Sequence, residues 1–217
     1  MDRFFNMDGP LMQGLSKLAD IVWLNILTLI CCIPIVTIGA ALTAEHYVVL
    51  KMVRGEEGYV TRSFFKSFKI NFKQATCIWL LFLVFILMFV GDLYIFNYSG
   101  FEFPEIMRVL IYAFTIVAAM IGAYVFPVLS KFDNTVINTI KNAFKFAVIS
   151  LPKTILMVII YAVPIIVLSY SITLLSIVVL FGMAGPAYLC AMLYNGVFKK
   201  FEPSEEDGEI EDEGKKN

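Results

Sequence analysis

The feature that most constrains this chain is a set of long stretches without any charged residue. The longest extends from Thr154 to Phe198, and three others cover Ile21–Ala44, Ala75–Gly91 and Val109–Ser130. A helix that crosses a bilayer needs about 20 mostly apolar residues, so the longest stretch has room for two crossings with a turn between them. These stretches predict an all-α, polytopic membrane protein with five transmembrane helices.

The composition excludes other classes of protein. Hydrophobic residues make up 59% of the chain and charged residues only 16%. Soluble domains contain about 45–50% apolar and about 25% charged residues, and disordered chains have low hydrophobicity. The stretches also lack the polar–apolar alternation of a membrane β-strand. The chain is therefore neither an ordinary soluble domain, nor a disordered protein, nor a β-barrel.

The basic residues predict the orientation, because loops rich in Lys and Arg stay in the cytoplasm. They concentrate in residues 51–73, in residues 131–153 and at Lys199–Lys200, whereas the connection after the second stretch is acidic. Both basic loops and the C-terminus are thus expected in the cytoplasm. Residues 1–198 form one transmembrane domain in this interpretation. The acidic segment 199–217 is expected to be a disordered cytoplasmic tail.

The number of spans depends on the first stretch, which contains Pro34. Thr37 could cap a new helix that begins near Gly39. A single kinked helix gives five spans, and a tight hairpin at Pro34 gives six. Glu45 and His46 would suit a lipid-facing second helix poorly. We therefore expect one kinked span.

Two basic amphipathic segments are predicted to be interfacial elbow helices that lie in the headgroup region. In the first, residues 61–74, apolar and basic side chains fall on opposite helical faces: Phe64, Phe65, Phe68 and Phe72 on one, Lys66, Lys69 and Lys73 on the other. Residues 134–147 repeat the pattern more weakly. Either segment could simply orient the next span or offer a docking surface.

No arrangement of residues predicts catalysis, a cofactor site or a metal site. The chain has one histidine, and it contains no H-E-x-x-H, G-x-S-x-G or phosphate-binding glycine motif. Its four cysteines lie in predicted spans, where packing explains them without a disulfide. Ionisable residues near a membrane and breaks in a span are the remaining functional candidates, and they are Glu45, His46, Asp92, Pro34 and Gly39. We expect no enzymatic activity and no nucleic-acid partner.

The segment Leu24–Trp79 resembles the YesL-like family of bacterial membrane proteins, a family without an established activity. The resemblance rests on the following residues: Leu24-Asn25, Cys32 to Gly39, Lys51, Arg54 to Glu57, Phe64 to Lys66, Phe68-Lys69, Asn71 to Ala75 and, later, Ile149 to Pro152. It implies an accessory role in an ATP-driven carbohydrate-uptake system of the cell membrane, whose subunits would be partners beside the lipid bilayer.

Two other functions remain open at this point. Ile149 to Pro152 matches the end of the cytoplasmic coupling loop of transporter permeases, although Thr139 stands where that loop has glycine. The chain could therefore be a permease subunit itself. A membrane enzyme acting on lipid-linked substrates would need clustered carboxylates. The acidic connection after the second stretch offers only Asp92, Glu102 and Glu105.

Overall fold

The computed structural model describes residues 10–56, 58–98, 104–170, 173 and 175–202. Within these ranges the long elements are all α-helices. They are α1 (Pro10–Cys32), α2 (Ile38–Arg54), α3 (Val60–Tyr98), α4 (Glu105–Lys131), α5 (Val136–Ile149), α6 (Leu151–Tyr170), α7 (Leu175–Phe181) and α8 (Ala184–Phe198), with a single 3₁₀ turn at Ile35–Thr37 between α1 and α2.

The prediction of an all-α membrane protein with five transmembrane helices, or six with a hairpin at Pro34, is confirmed. Five helices are long and apolar enough to cross a membrane, namely α1, α2, α3, α4 and α6. The number rises to six if α7 and α8, which are bent by 47° at their junction, count as one span.

The five long helices differ from the five that the sequence predicted, because the first apolar stretch is not one kinked helix. α1 ends at Cys32 and α2 begins at Ile38. The two are antiparallel, since Lys17 and Asp20 of α1 line the same groove as Lys51 near the end of α2. The interpretation as a single kinked span is therefore wrong, and the alternative of a hairpin at Pro34 is right.

α2 lies at the centre of the protein and is the most buried of the candidate spans. Its small residues Gly39, Ala40, Ala41 and Ala44 are buried and let neighbouring helices approach closely. α1, α3, α4 and α8 all pack against it. This close packing explains how a helix with Glu45 and His46 is accommodated, because these side chains face other helices rather than lipid.

Much of the second half of α3 is exposed, although Phe82, Phe89 and Phe96 are half-buried. Five consecutive apolar side chains are exposed there, Val84 through Met88. The adjacent half of α4 is antiparallel to it, with Phe82 near Gly122 and Arg108 over the Phe96 ring. We call residues 80–98 and 105–122 the outer hairpin. A helix that is apolar all round belongs in lipid or against another protein.

The acidic tail can be compared with its prediction only at its start. Residues 199–202 form turns after α8, and the Phe201 ring packs at a tilt against Phe146 of α5 with ring centroids 5.0 Å apart. Residues 203–217, which carry most of the predicted tail, lie outside the described residues.

Candidate functional site

The turn between α1 and α2 is held together by its own polar atoms. Pro34 interrupts the helix because it has no backbone donor. The Thr37 hydroxyl donates to the carbonyl oxygens of Cys31 (2.5 Å) and Pro34 (2.7 Å). It therefore closes the end of α1 and does not make the expected side-chain cap of α2, for which no hydrogen bond exists.

Gly39 allows the turn to dock on α3. A Cβ atom at this position would collide with the Ala75 carbonyl oxygen and lie 2.5 Å from Trp79 Cβ. The Trp79 indole nitrogen donates to the Ile35 carbonyl oxygen at 2.7 Å. Pro34 and Gly39 thus have structural roles at one place, where the hairpin meets α3.

His46 lies in a buried cluster with two tyrosines. Its Nδ1 atom is 3.3 Å from the Tyr194 hydroxyl, and its Nε2 atom is 3.3 Å from the Tyr161 hydroxyl. One ring nitrogen of a neutral imidazole donates and the other accepts, and hydroxyls can do either. The cluster therefore satisfies a neutral His46 and joins α2 to α6 and α8.

Glu45 is 1% exposed, and its Oε1 atom has no hydrogen-bond partner among the described residues. Burying a carboxyl group without hydrogen-bond partners is costly. Among the described residues, neither Glu45 nor His46 forms a hydrogen bond with a serine, threonine or cysteine side chain. The arrangement of His46, Tyr161 and Tyr194 holds three helices together.

Asp92 does not join this cluster. It lies in the outer hairpin, 13 residues beyond Trp79 along α3, which corresponds to about 20 Å of helix. Its side chain is half-buried and forms no hydrogen bond or ion pair with the described part of the chain. The same part of the chain contains no group of three or more histidine, cysteine or acidic side chains that could hold a metal ion.

The predicted elbow helix at residues 61–74 is the first part of α3 and not a separate helix. Its aromatic face differs from the prediction, because Phe64 is fully buried and stacks on Phe68 within the protein, with ring centroids 6.1 Å apart. Phe72 is half-buried beside Phe68, and only Phe65 is exposed. An amphipathic pattern suits a neighbouring helix as well as a membrane surface. The basic side chains are exposed as expected: Lys66, Lys69 and Lys73.

Sequence reasoning missed the role of Asn25, which is fully buried. Its Nδ2 donates to the Val179 carbonyl oxygen (2.6 Å), and its Oδ1 accepts from the backbone N–H groups of Met183 and Ala184 (2.8 Å each). One side chain of α1 therefore satisfies the backbone groups freed at the break between α7 and α8.

Arg54 is a second residue that sequence reasoning missed. Its guanidinium donates to both carboxylate oxygens of Glu202, at 2.6 and 3.2 Å, and its Nε donates to Asn195 Oδ1 at 2.9 Å. These hydrogen bonds hold the pKa of Glu202 below its ordinary value. Gly55 follows in the left-handed conformation (φ 69°), which ends α2 and favours glycine.

These contacts involve the residues on which the family resemblance depends. Residues 21–93 match the family model described as "Protein of unknown function, DUF624". YesL-like proteins belong to DUF624, so the resemblance is confirmed over this segment. No curated protein and no solved structure matches the chain.

The DUF624 segment covers most of α1, all of α2 and most of α3. It includes Asn25, Thr37, Gly39, Arg54 and Gly55, whose contacts form the hairpin and tie it to the rest of the protein. Gln74, also in this segment, donates to the Asn134 carbonyl oxygen and to Thr139 Oγ1. Several residues that carry the resemblance, among them Asn25, Gly39 and Arg54, therefore hold the hairpin against the rest of the protein.

Proposed function

We propose that the protein is a non-enzymatic accessory of an ATP-driven carbohydrate-uptake system in a bacterial cell membrane, with its C-terminus in the cytoplasm. The carbohydrate context comes from the resemblance to YesL-like proteins. The geometry supports a role in binding a membrane partner.

The outer hairpin is the observation that carries this proposal. Its α3 half exposes a broad apolar surface, and the half-buried Asp92 is the one acidic side chain of α3. An ionisable side chain within a membrane segment is usually paired or functional. Asp92 has no hydrogen-bond or ion-pair partner among the described residues. This apolar surface therefore fits a membrane helix of a partner that supplies a hydrogen-bond donor or a cation to Asp92.

The buried polar cluster supports the non-enzymatic part of the proposal. The partners of His46 are tyrosine hydroxyls on two other helices, and Asn25 and Arg54 also join distant elements. These polar groups stabilise the arrangement of helices. A protein that offers surfaces to a transporter needs such a fixed arrangement and no reactive group.

The test combines growth with purification of the protein from native membranes. Deletion of the gene should impair growth on at least one oligosaccharide, while growth on glucose stays normal. Tagged wild-type protein, extracted in mild detergent, should recover the membrane subunits of a sugar transporter. Recovery of ATP-binding subunits alone would instead favour a permease, and unchanged uptake of every tested glycan together with no recovered transporter would refute the proposal.

A matched pair of variants tests the surface itself. Asp92→Leu should retain its expression level and lose most of the recovered transporter, because the carboxylate that meets the partner is gone. Asp20→Leu makes the same change at a half-buried acidic residue of α1, outside the outer hairpin, and should retain recovery. Equal recovery with both variants would show that Asp92 does not contact the partner.

A further inference from the structure

A polar cavity lies between the first half of α3 and the turn that joins α4 to α5. Its volume is about 400 Å³, within the range of roughly 300–1,000 Å³ typical of small-molecule sites. Six of its lining residues carry the argument: Asn71, Gln74, Phe132, Asp133, Asn134 and Asn138. It lies apart from the His46 cluster, with which it shares no lining residue.

Two amides on the α3 side are fixed by hydrogen bonds to the protein. Gln74 Nε2 donates to the Asn134 carbonyl oxygen at 2.5 Å and to Thr139 Oγ1 at 3.2 Å. Asn71 Nδ2 donates to the Ser67 carbonyl oxygen at 3.1 Å and to Ser67 Oγ at 3.2 Å. Since the N–H groups are used, the amide oxygens of both residues remain as acceptors for a ligand.

The other side of the cavity has unused hydrogen-bonding groups. The side chains of Asp133, Asn134 and Asn138 form no hydrogen bond with the described part of the chain. Thr135 Oγ1 accepts from the backbone N–H of Asn138 at 3.4 Å, which fixes the beginning of α5. The cavity thus offers amide donors and both amide and carboxylate acceptors within a small space.

The charge of the lining identifies the class of ligand. Asp133 is the single charged residue that lines the cavity, and no lysine or arginine does. The neighbouring Lys131 is 3.6 Å from Glu202 and is paired with it. An anion such as a sugar phosphate would therefore meet a carboxylate without a counter-charge. Phe132 adds a half-buried aromatic ring, against which an apolar ring face can pack.

We propose that this cavity binds a neutral polyhydroxylated ligand, a sugar or a polyol without phosphate. Vicinal hydroxyls both donate and accept, and they match the alternating amide and carboxylate groups of the lining. This binding site is independent of the transporter partner, so one proposal can fail while the other stands.

The experiment is isothermal titration of the purified full-length protein in detergent. The probes are glucose, galactose, maltose and mannitol, with glucose 6-phosphate as the anionic counterpart of glucose. At least one neutral probe should bind, and glucose 6-phosphate should bind more weakly than glucose or not at all. Failure of all four neutral probes to bind, or tighter binding of the phosphate, would overturn the proposal.

Variants locate the site. Asp133→Ala together with Asn138→Ala should weaken binding about tenfold or more, since each lost hydrogen bond accounts for a factor of roughly 2–10. Asn142→Ala, one turn further along α5 and outside the cavity, is the matched control and should bind as the wild type does. Both sets of variants should keep the wild-type melting temperature. Equal affinity for the double variant and the control would place binding elsewhere and refute the assignment.

Discussion

Replacing Gly39 with alanine gives a sharp test of the hairpin, because two physical effects predict opposite results. Gly39 is the second residue of α2, and glycine in a helix is up to about 1 kcal/mol less favourable than alanine. Helix propensity alone therefore predicts that Gly39→Ala stabilises the protein. The contacts with α3 predict the reverse.

The steric contacts with α3 should outweigh the gain in helix propensity. The added methyl group would collide with the Ala75 carbonyl oxygen and lie 2.5 Å from Trp79 Cβ, and neither atom can move without moving α3. Overpacking of this kind costs about 1–3 kcal/mol, and these contacts belong at the upper end of that range. After subtracting the gain in helix propensity, we expect a net loss of about 2 kcal/mol. This corresponds to a melting temperature lower by roughly 4–8 °C for a chain of this size.

Gly91 provides the matched control. It lies in the interior of α3, where nothing is within 4 Å of an added Cβ atom. Gly91→Ala should therefore show the helix-propensity effect alone and raise the melting temperature slightly or leave it unchanged. The two variants make the same chemical change in a helix, so their difference measures the contact between α2 and α3.

The assay is thermal unfolding in detergent, followed by intrinsic tryptophan fluorescence. The chain has two tryptophans, and Trp79 donates its indole hydrogen bond to the hairpin turn. Its emission in the folded Gly39→Ala variant should also shift, because the collision separates it from Ile35. A Gly39→Ala variant with an unchanged or higher melting temperature and unchanged emission would refute the packing described for the hairpin.

Three further predictions use the same unfolding assay. Phe64→Ala should destabilise the protein by about 3–5 kcal/mol and Phe65→Ala by much less, because Phe64 is 0% exposed and Phe65 is 39% exposed. Similar losses of stability in the two variants would contradict the buried position of Phe64. Asn25→Leu should cost about 1–3 kcal/mol for each backbone group left without a partner, and an unchanged melting temperature would show that water replaces the side chain. Arg54 lowers the pKa of Glu202. The ionised Glu202 side chain therefore stabilises the protein fully at pH values above the ordinary carboxyl pKa of 4.5, and this stabilisation is lost as the pH falls through the lowered pKa. The melting-temperature difference between wild type and Glu202→Gln should therefore be constant from pH 8 to 6 and shrink below about pH 4.5, and a difference that grows in acid would contradict the ion pair.

The lengths of the apolar stretches predicted most of the fold. The apolar stretches placed α4 and α6 well, because a helix in lipid must satisfy its backbone hydrogen bonds internally and can be recognised by length alone. The hairpin at Pro34 could not be settled in this way. Glu45 and His46 argued against a second helix only on the assumption that it faced lipid, and small residues on α2 place it at the centre of the protein instead.

The candidate residues were predictable to different degrees. Pro34 and Gly39 stood out because proline and glycine have strong local effects, and both are at the turn. The partners of His46 come from residues 161 and 194, more than 100 positions away, and no local pattern indicates them. Asn25 and Arg54 were visible only as part of the family resemblance, since their contacts lie about 150 positions away along the chain.

The most direct test of the central claim is photocrosslinking in native membranes. A photoreactive side chain at Leu87, which is 62% exposed in the outer hairpin, reports on what this surface meets. The same group at Ile177 of α7, also exposed, is the control for contact with lipid. The account predicts a protein adduct from Leu87 that contains a membrane subunit of a sugar transporter, and lipid adducts alone from Ile177. Lipid adducts alone from both positions, or equal protein adducts from both, would contradict it.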